Sequence, residues 1–233
     1  MTSVDYHSEA TQLVQAISKK VSADGVEIAE QMTAAADLLM EWLGYLHQSE
    51  MTDCCDTFLE GIRSLVLEAV ASATAGLYRS ALFALRAQVD LTLSWLYFKD
   101  HPIEWAKVER ESEGFKLKKD VFIYLTDHYP AFTKKFSTLE AAGTRADTDT
   151  YRILSAHIHS IGPNAMHLFS NFSDVVGDKQ VCIELVELQA DVAEYLNDVL
   201  VAVYGFRWAS LPDPIVKPIR DRLSQEKLAL IFS

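Results

Sequence analysis

Glycine and proline are scarce: nine and six of 233 residues. The long periodic segments between them are rich in Ala, Leu, Glu and Gln. Together these leave an all-α chain as the expected fold class. Cysteine is scarcer still. Cys54, Cys55 and Cys182 make an odd count with two adjacent, which is no disulfide framework and reads as reduced thiols. The opening MTSVDYHSEA lacks a basic region followed by an apolar one, so no secretory signal is expected. No apolar run approaches the roughly 18 residues of a membrane span. The expectation is a cytoplasmic, untargeted chain with no membrane partner. Positive charge is the minority, and the formal net charge is −12. Broad adhesion to nucleic acid or to anionic membranes is therefore disfavoured, though a small basic cleft is not.

Familiar chemistry is missing as well. There is no Gly-rich phosphate loop, no His-Glu-x-x-His, no Glu-x-x-His, no Cys-x-x-Cys and no Gly-x-Ser-x-Gly. Cys54 and Cys55 point about 100° apart on a helix, a poor geometry for joint ligation. No metal and no cofactor are expected.

Hydrophobic residues make up 49% of the chain, enough for a substantial core. Periodicity predicts helices over about 5–20, 26–47, a segment after Thr52 or Asp53, 77–98, 102–113, 116–128, 131–142, 148–161 and 179–204. Ser22-Ala23-Asp24-Gly25, Gly76, His101-Pro102, Tyr129-Pro130 and Gly162-Pro163 are read as breaks. Ala34, Leu38, Trp42 and Leu46 are expected along one face of the second helix. The helix over 77–98 is apolar on most sides and belongs in the middle of a bundle; Arg79, Arg86 and Asp90 share its remaining stripe. The chain divides into an N-terminal helical extension (1–50), a helical bundle (51–210) and a C-terminal helical tail (211–233), which would dock on the bundle or on a second subunit.

The stretch DTDTYRILSAHIHSIGP, residues 147–163, organises the functional reading. Tyr151, Leu154, Ile158 and Ile161 form a buried stripe. Arg152 and His159 fall within roughly 20° of each other on another face, with Ser155 beside them. His157 lies roughly 140° from Arg152, nearer the stripe. An i, i+2 histidine pair on a helix does not suit a zinc site. Spacing alone favours a plainer reading of His159, an exposed histidine with an arginine for a neighbour. His7, His47, His101, His128 and His167 lie near helix ends or breaks and are given no role.

Arg152-x6-His159, or Arg152-x4-His157, resembles the Arg-x(4–6)-His signature of the HEPN superfamily, placed late in an all-α chain as that family places it. Tyr151-x2-Leu154-Ser155-x2-Ile158-His159 resembles a version in a bacterial branch. Tyr78-Arg79-Ser80-Ala81-Leu82, then Leu85-Arg86 and Asp90, resembles that branch's hydrophobic helix with two arginines and an acidic residue. One departure stands out: many nucleolytic members carry a polar residue directly after the arginine, and here Ile153 is found.

The resemblance implies a HEPN-like bundle that works as a homodimer. It further implies a metal-independent endoribonuclease, the toxin or antiphage effector of a defence system, with an RNA substrate and an antitoxin or defence-system partner. His159 would be the acid/base, with His157 as the alternative, and Arg152 the phosphate clamp. Ser155 would orient the histidine ring. Arg86 with Asp90 is expected as an ion pair that positions the site or only stabilises the helix, and Arg79 would extend a basic lining. Lys116, Lys118, Lys119, Lys134 and Lys135 are expected on solvated helix faces. The rival implication is a non-catalytic HEPN-like module for dimerisation and for partner or nucleotide binding.

Overall fold

The computed structural model describes residues 5–145, 149–159 and 168–233, and they form an all-α chain. The helices are α1 (Tyr6–Lys20), α2 (Val26–Ser49), α3 (Thr57–Thr74), α4 (Tyr78–Phe98), α5 (Pro102–Glu111) and α6 (Lys118–His128), then α7 (Phe132–Glu140), α8 (Thr150–Ile158), α9 (Lys179–Tyr204), α10 (Asp213–Arg222) and α11 (Gln225–Ile231). Only a lone antiparallel bridge, Leu77 to Val176, is sheet-like among the described residues.

Helix α4 occupies the middle, as its apolar circumference predicts. Ala81, Leu82, Ala84, Leu85, Val89, Leu93, Trp95, Leu96 and Phe98 are all buried. It packs against α3 on one side and against α8 and α9 on others. Two polar contacts fix α9 into this core. The carboxamides of Gln88 and Gln189, both fully buried, exchange hydrogen bonds at 3.1 and 3.0 Å. Trp42 on α2 donates its indole N–H to Asn197 at 2.7 Å. The two carboxamides and the indole N–H are thereby satisfied, while Asn197 Nδ2 finds no partner among the described residues, so the pairs select one register of the helices and leave one buried donor unmet.

Two expectations about α2 change. Its buried face runs through Ile28, Met32, Ala36, Leu39, Leu43 and Leu46, with Trp42 on its flank, while Ala34 is exposed. The stripe is rotated because α2 is sandwiched between α9 and α3 and so buries a wider arc. The break expected at residues 22–25 is also absent. Val21–Gly25 is a π-helical turn that joins α1 to α2 without interruption. Across it Lys20 meets Asp24 at 3.0 Å, with both side chains largely shielded from solvent. Local turn-forming residues are overridden by that pair and by packing of the turn on α3.

The three cysteines are unbridged. Cys55 and Cys182 are buried and donate to the carbonyls of Trp95 and Ala73. Burial pushes the Cys55 thiol up to about 12, so it stays protonated. The connection after residue 168 is held to the α3–α4 turn by Gly177 N–H donating to Gly76 O at 2.8 Å. Gly76 has φ +74, and a Cβ there would meet Val176 at 3.0 Å and the Gly177 carbonyl at 3.1 Å, so the position suits glycine alone.

The tail docks on the bundle of its own chain. Arg222, at the end of α10, reaches Glu194 at 2.6 Å and also pairs with Asp198, both on α9. Arg145, just before α8, binds the same Asp198 at 2.6 Å and Glu194 at 3.4 Å. Thr144 N–H donates to Glu194 at 2.8 Å. Asp198 is fully buried and the Arg145 side chain is 1% exposed. Removing one partner of such a pair leaves a charge with no solvent to relax it. Arg145→Ala is expected to lower unfolding free energy in urea by about 3–5 kcal/mol. A loss below about 1 kcal/mol, the range of exposed pairs, would show that the network is solvated instead.

Candidate functional site

Helix α8 carries the residues singled out in the sequence, and it runs antiparallel against α4. Two contacts set that register. Near the start of α8, Tyr151 lies against Arg86; near its end, His157 lies edge-on to Tyr78, with ring centres 5.9 Å apart. The helix begins because Asp149 caps it, its carboxylate accepting the Arg152 N–H at 3.1 Å. The described helix ends at Ile158, and His159 is its C-cap at φ −86, ψ 3. The sequence extends the helix from Thr148 to Ile161 and stops it at Gly162-Pro163. Thr148 and residues 160–163 lie outside the described residues, as does His167.

The site has two layers. The lower one lies between α4 and α8. The Arg86 guanidinium sits 3.6 Å over the Tyr151 ring, donates to the Tyr151 hydroxyl and meets Asp90 at 3.3 Å. The Arg86 side chain is 15% exposed and that of Asp90 40%. Partial burial raises the Asp90 carboxyl above the ordinary aspartate range, outweighing Arg86 and a hydrogen bond with Tyr151, which both act to lower it. Burial, with Asp90 nearby, likewise raises the Tyr151 phenol. Lys118 completes the cluster from α6. Its ammonium bonds Asp149 at 3.0 Å and lies 4.8 Å from the Tyr151 ring centre, with Tyr195 and Phe122 further out. One Asp149 oxygen thus takes both Lys118 and the Arg152 backbone N–H.

The upper layer faces solvent. Arg152 and His159 are both exposed; Ile153, Ser155 and His157 are half-buried. Ser155 donates its hydroxyl proton to the Tyr151 carbonyl at 2.7 Å, one turn back. Toward His159 it therefore has only lone pairs to offer. His157 is turned toward Tyr78 on α4, away from the solvent side where Arg152 lies. Arg79, next to Tyr78, is half-buried in the first turn of α4. The structure therefore joins Arg86, Asp90 and Tyr151 directly, and it sets Arg152 and His159 on the solvent side of the same short helix.

Three contributors escape a reading by stripes. Tyr151 reads as a core residue, yet it is the hub of the polar layer. Asp149 has a readable signal, an acidic residue three before the motif's first turn is complete. Lys118 was expected on a solvated face, but at 23% side-chain exposure it is held by Asp149 and three rings. Lys135 departs further: it is 4% exposed and donates to the Ser233 carbonyl at 2.9 Å. Lys116 is paired with Glu104 at 2.7 Å, while Lys119 and Lys134 are exposed as expected.

No protein-family model matches the chain, and no curated protein or solved structure does either.

The Asp90 environment gives a signed pH dependence. A carboxyl whose folded pKa is raised binds its proton more tightly in the native state than in the unfolded one. Its contribution is then fully present at acid pH and is lost as pH rises from the ordinary aspartate range through the raised folded value. Asp90→Asn should flatten that arm of a stability-versus-pH curve measured by urea unfolding. Tyr151→Phe removes the acceptor used by Arg86 and should lower stability by about 1–3 kcal/mol.

Proposed function

We propose that the chain is a metal-independent endoribonuclease of HEPN-like type, acting as a homodimer whose α8 helices face each other, in a toxin or antiphage defence setting. The observation that carries this reading is the exposure of Arg152 and His159 together on the solvent side of α8, above a helix face pinned by Arg86, Asp90 and Tyr151. RNA brings its own nucleophile, the 2′-OH. A histidine that titrates near neutral pH takes that proton, or gives one to the departing 5′ oxygen. The 2′ oxygen then forms a bond to phosphorus as the bond to the 5′ oxygen breaks. The products are a 2′,3′-cyclic phosphate and a 5′-OH. Arginine stays charged throughout and holds the phosphate as negative charge grows on its oxygens.

Position supports an assignment of roles. His159 is the acid/base, since it is exposed while His157 rests on Tyr78. Arg152 is the phosphate clamp. Arg86 and Asp90 are positioning residues that act through Tyr151, which is adjacent to Arg152. Lys118 acts through Asp149, the cap of the same turn. Arg79 lies on the α4 stripe and adds to the basic lining. A second reading, a non-catalytic module for dimerisation and partner or nucleotide binding, is favoured by Ile153 after the arginine and by the net charge of −12.

The decisive assay incubates wild type, Arg152→Ala and His159→Ala with total RNA and a tRNA pool in EDTA and analyses the fragment ends. Wild type should leave 2′,3′-cyclic phosphate ends. His159→Ala should be slower by about 10²–10⁴, the usual contribution of a positioned acid/base. Equal cleavage by all three proteins sinks the assignment. No cleavage by any of them, together with harmless expression in cells, moves the weight to the second reading.

A further inference from the structure

The tail holds an open cleft, built separately from α8. Residues 205–233 carry five Lys and Arg against three Asp and Glu, in a chain that is strongly acidic as a whole. At their start is Gly205-Phe206-Arg207-Trp208, a 3₁₀ turn directly after α9. A Cβ on Gly205 would stand 2.6 Å from the Ile231 carbonyl, so glycine is what lets α11 close onto this turn. The approach brings Trp208 beside Phe232, with ring centres 6.1 Å apart. Trp208, Arg220, Gln225, Leu228, Ala229 and Phe232 then line a cleft of about 450 Å³. Sites for small organic ligands have volumes of this order, about 300–1,000 Å³.

The chemistry of the lining is mixed in a particular way. Trp208 is 44% exposed, although a large aromatic on a helical bundle is normally covered. The Arg220 guanidinium lies 5.8 Å from its ring centre and meets Asp213 only at 3.7 Å. On the neighbouring turn Phe206 is 55% exposed, with Arg207 over its ring at 5.3 Å; Arg207 is also paired with Glu50. Gln225 adds a carboxamide, which both donates and accepts. An open aromatic face, a cation at its edge and a carboxamide match a ligand with a flat π-system, ring heteroatoms and an attached anion. Bases stack on exposed aromatics irrespective of sequence, and arginine forks match phosphate oxygens.

We infer that this cleft binds a nucleotide unit, with the base on Trp208, the phosphate at Arg220 and Gln225 at the edge of the base. The nucleotide is either free or a residue of single-stranded RNA, and the two sources share this chemistry. The inference does not rest on catalysis at α8.

The test uses the full chain and follows both tryptophan emission and calorimetry. The probes are AMP, adenosine, inorganic phosphate and a 2′-O-methylated oligoadenylate, which lacks the nucleophilic 2′-OH and so cannot be cut by the reaction proposed above. AMP should quench emission and bind at least about tenfold more tightly than adenosine or phosphate alone, a difference of about 1.4 kcal/mol. Arg220→Gln should bring AMP to the level of adenosine. Trp208→Leu should abolish binding by calorimetry, with an unchanged helical circular dichroism signal because both side chains are about half exposed. Oligoadenylate binding much more tightly than AMP assigns the site to RNA; equal affinity assigns it to free nucleotides. Absence of binding for AMP and oligoadenylate at millimolar concentration overturns the inference. So does binding that survives unchanged in both variants.

Discussion

One buried carboxylate holds the outer parts of this chain in place. Asp198 sits on α9 with no solvent exposure and takes Arg145 from one side and Arg222 from the other. Arg145 is close to the start of α8, and Arg222 closes α10. The segment that leads to the proposed catalytic helix and the segment that carries the tail cleft therefore share an anchor. Two arginines and two carboxylates balance in charge, which is what makes the burial tolerable. Desolvation of such a group costs several kcal/mol unless the geometry repays it. Burial still pushes the Asp198 carboxyl upward against both arginines. The network contributes position more than it contributes stability. An apolar cluster of the same volume would pack as well, but it would not select where residues 144 and 145 leave the bundle.

The proposed active site rests on a similar division of labour at smaller scale. Arg86 is held by Asp90 and Tyr151, and Asp149 is held by Lys118. Neither pairing needs a ligand. Together they fix a helix of only nine residues, too short to be stable by itself. The exposed Arg152 and His159 thus stand on a platform whose rotation about its own axis is set from below. This matters for any chemistry there, because a phosphate clamp and a proton carrier are useful only at a constant separation.

The core of the fold was legible wherever periodicity was strong. Helix α4 could be placed in the middle because no polar stripe interrupted it except Arg79, Arg86 and Asp90. Helix α9 is legible for a different reason: Leu185, Leu188, Val192, Leu196, Val199 and Val203 recur at helical spacing beside a polar face of Glu184, Glu187, Asp191 and Glu194. The face of α2 is not, because a helix covered on two sides has apolar residues around a wide arc, and the spacing of Ala34, Leu38, Trp42 and Leu46 marks only one edge of it. The turn at 22–25 was read as a break from its Ser, Asp and Gly; the buried Lys20–Asp24 pair that keeps it helical is a tertiary event. The anchor at Asp198 had a signal that periodicity passes over: Asn197-Asp198 is a polar pair inside the apolar run Tyr195 to Val203. A charged residue in such a run demands a partner, although the sequence cannot say that the partners stand at 145 and 222. At the candidate site, the exposure of Arg152 and His159 away from the buried stripe is legible from helical spacing. The hub role of Tyr151 was not, since an aromatic in a stripe carries no mark of what its hydroxyl meets.

The π-helical turn between α1 and α2 has a geometric meaning of its own. Such a turn takes in one residue more than an α turn, so everything before it is rotated by about 100° relative to an uninterrupted helix. The direction in which α1 presents Leu13 and Ile17 is therefore set by counting, not by composition. Loss of a single residue anywhere in 21–25 would keep the helix and swing its first fifteen residues to another side. The turn works as an angular spacer. Insertions and deletions there, unlike substitutions, would change which surface this chain shows to whatever meets its N-terminal arm.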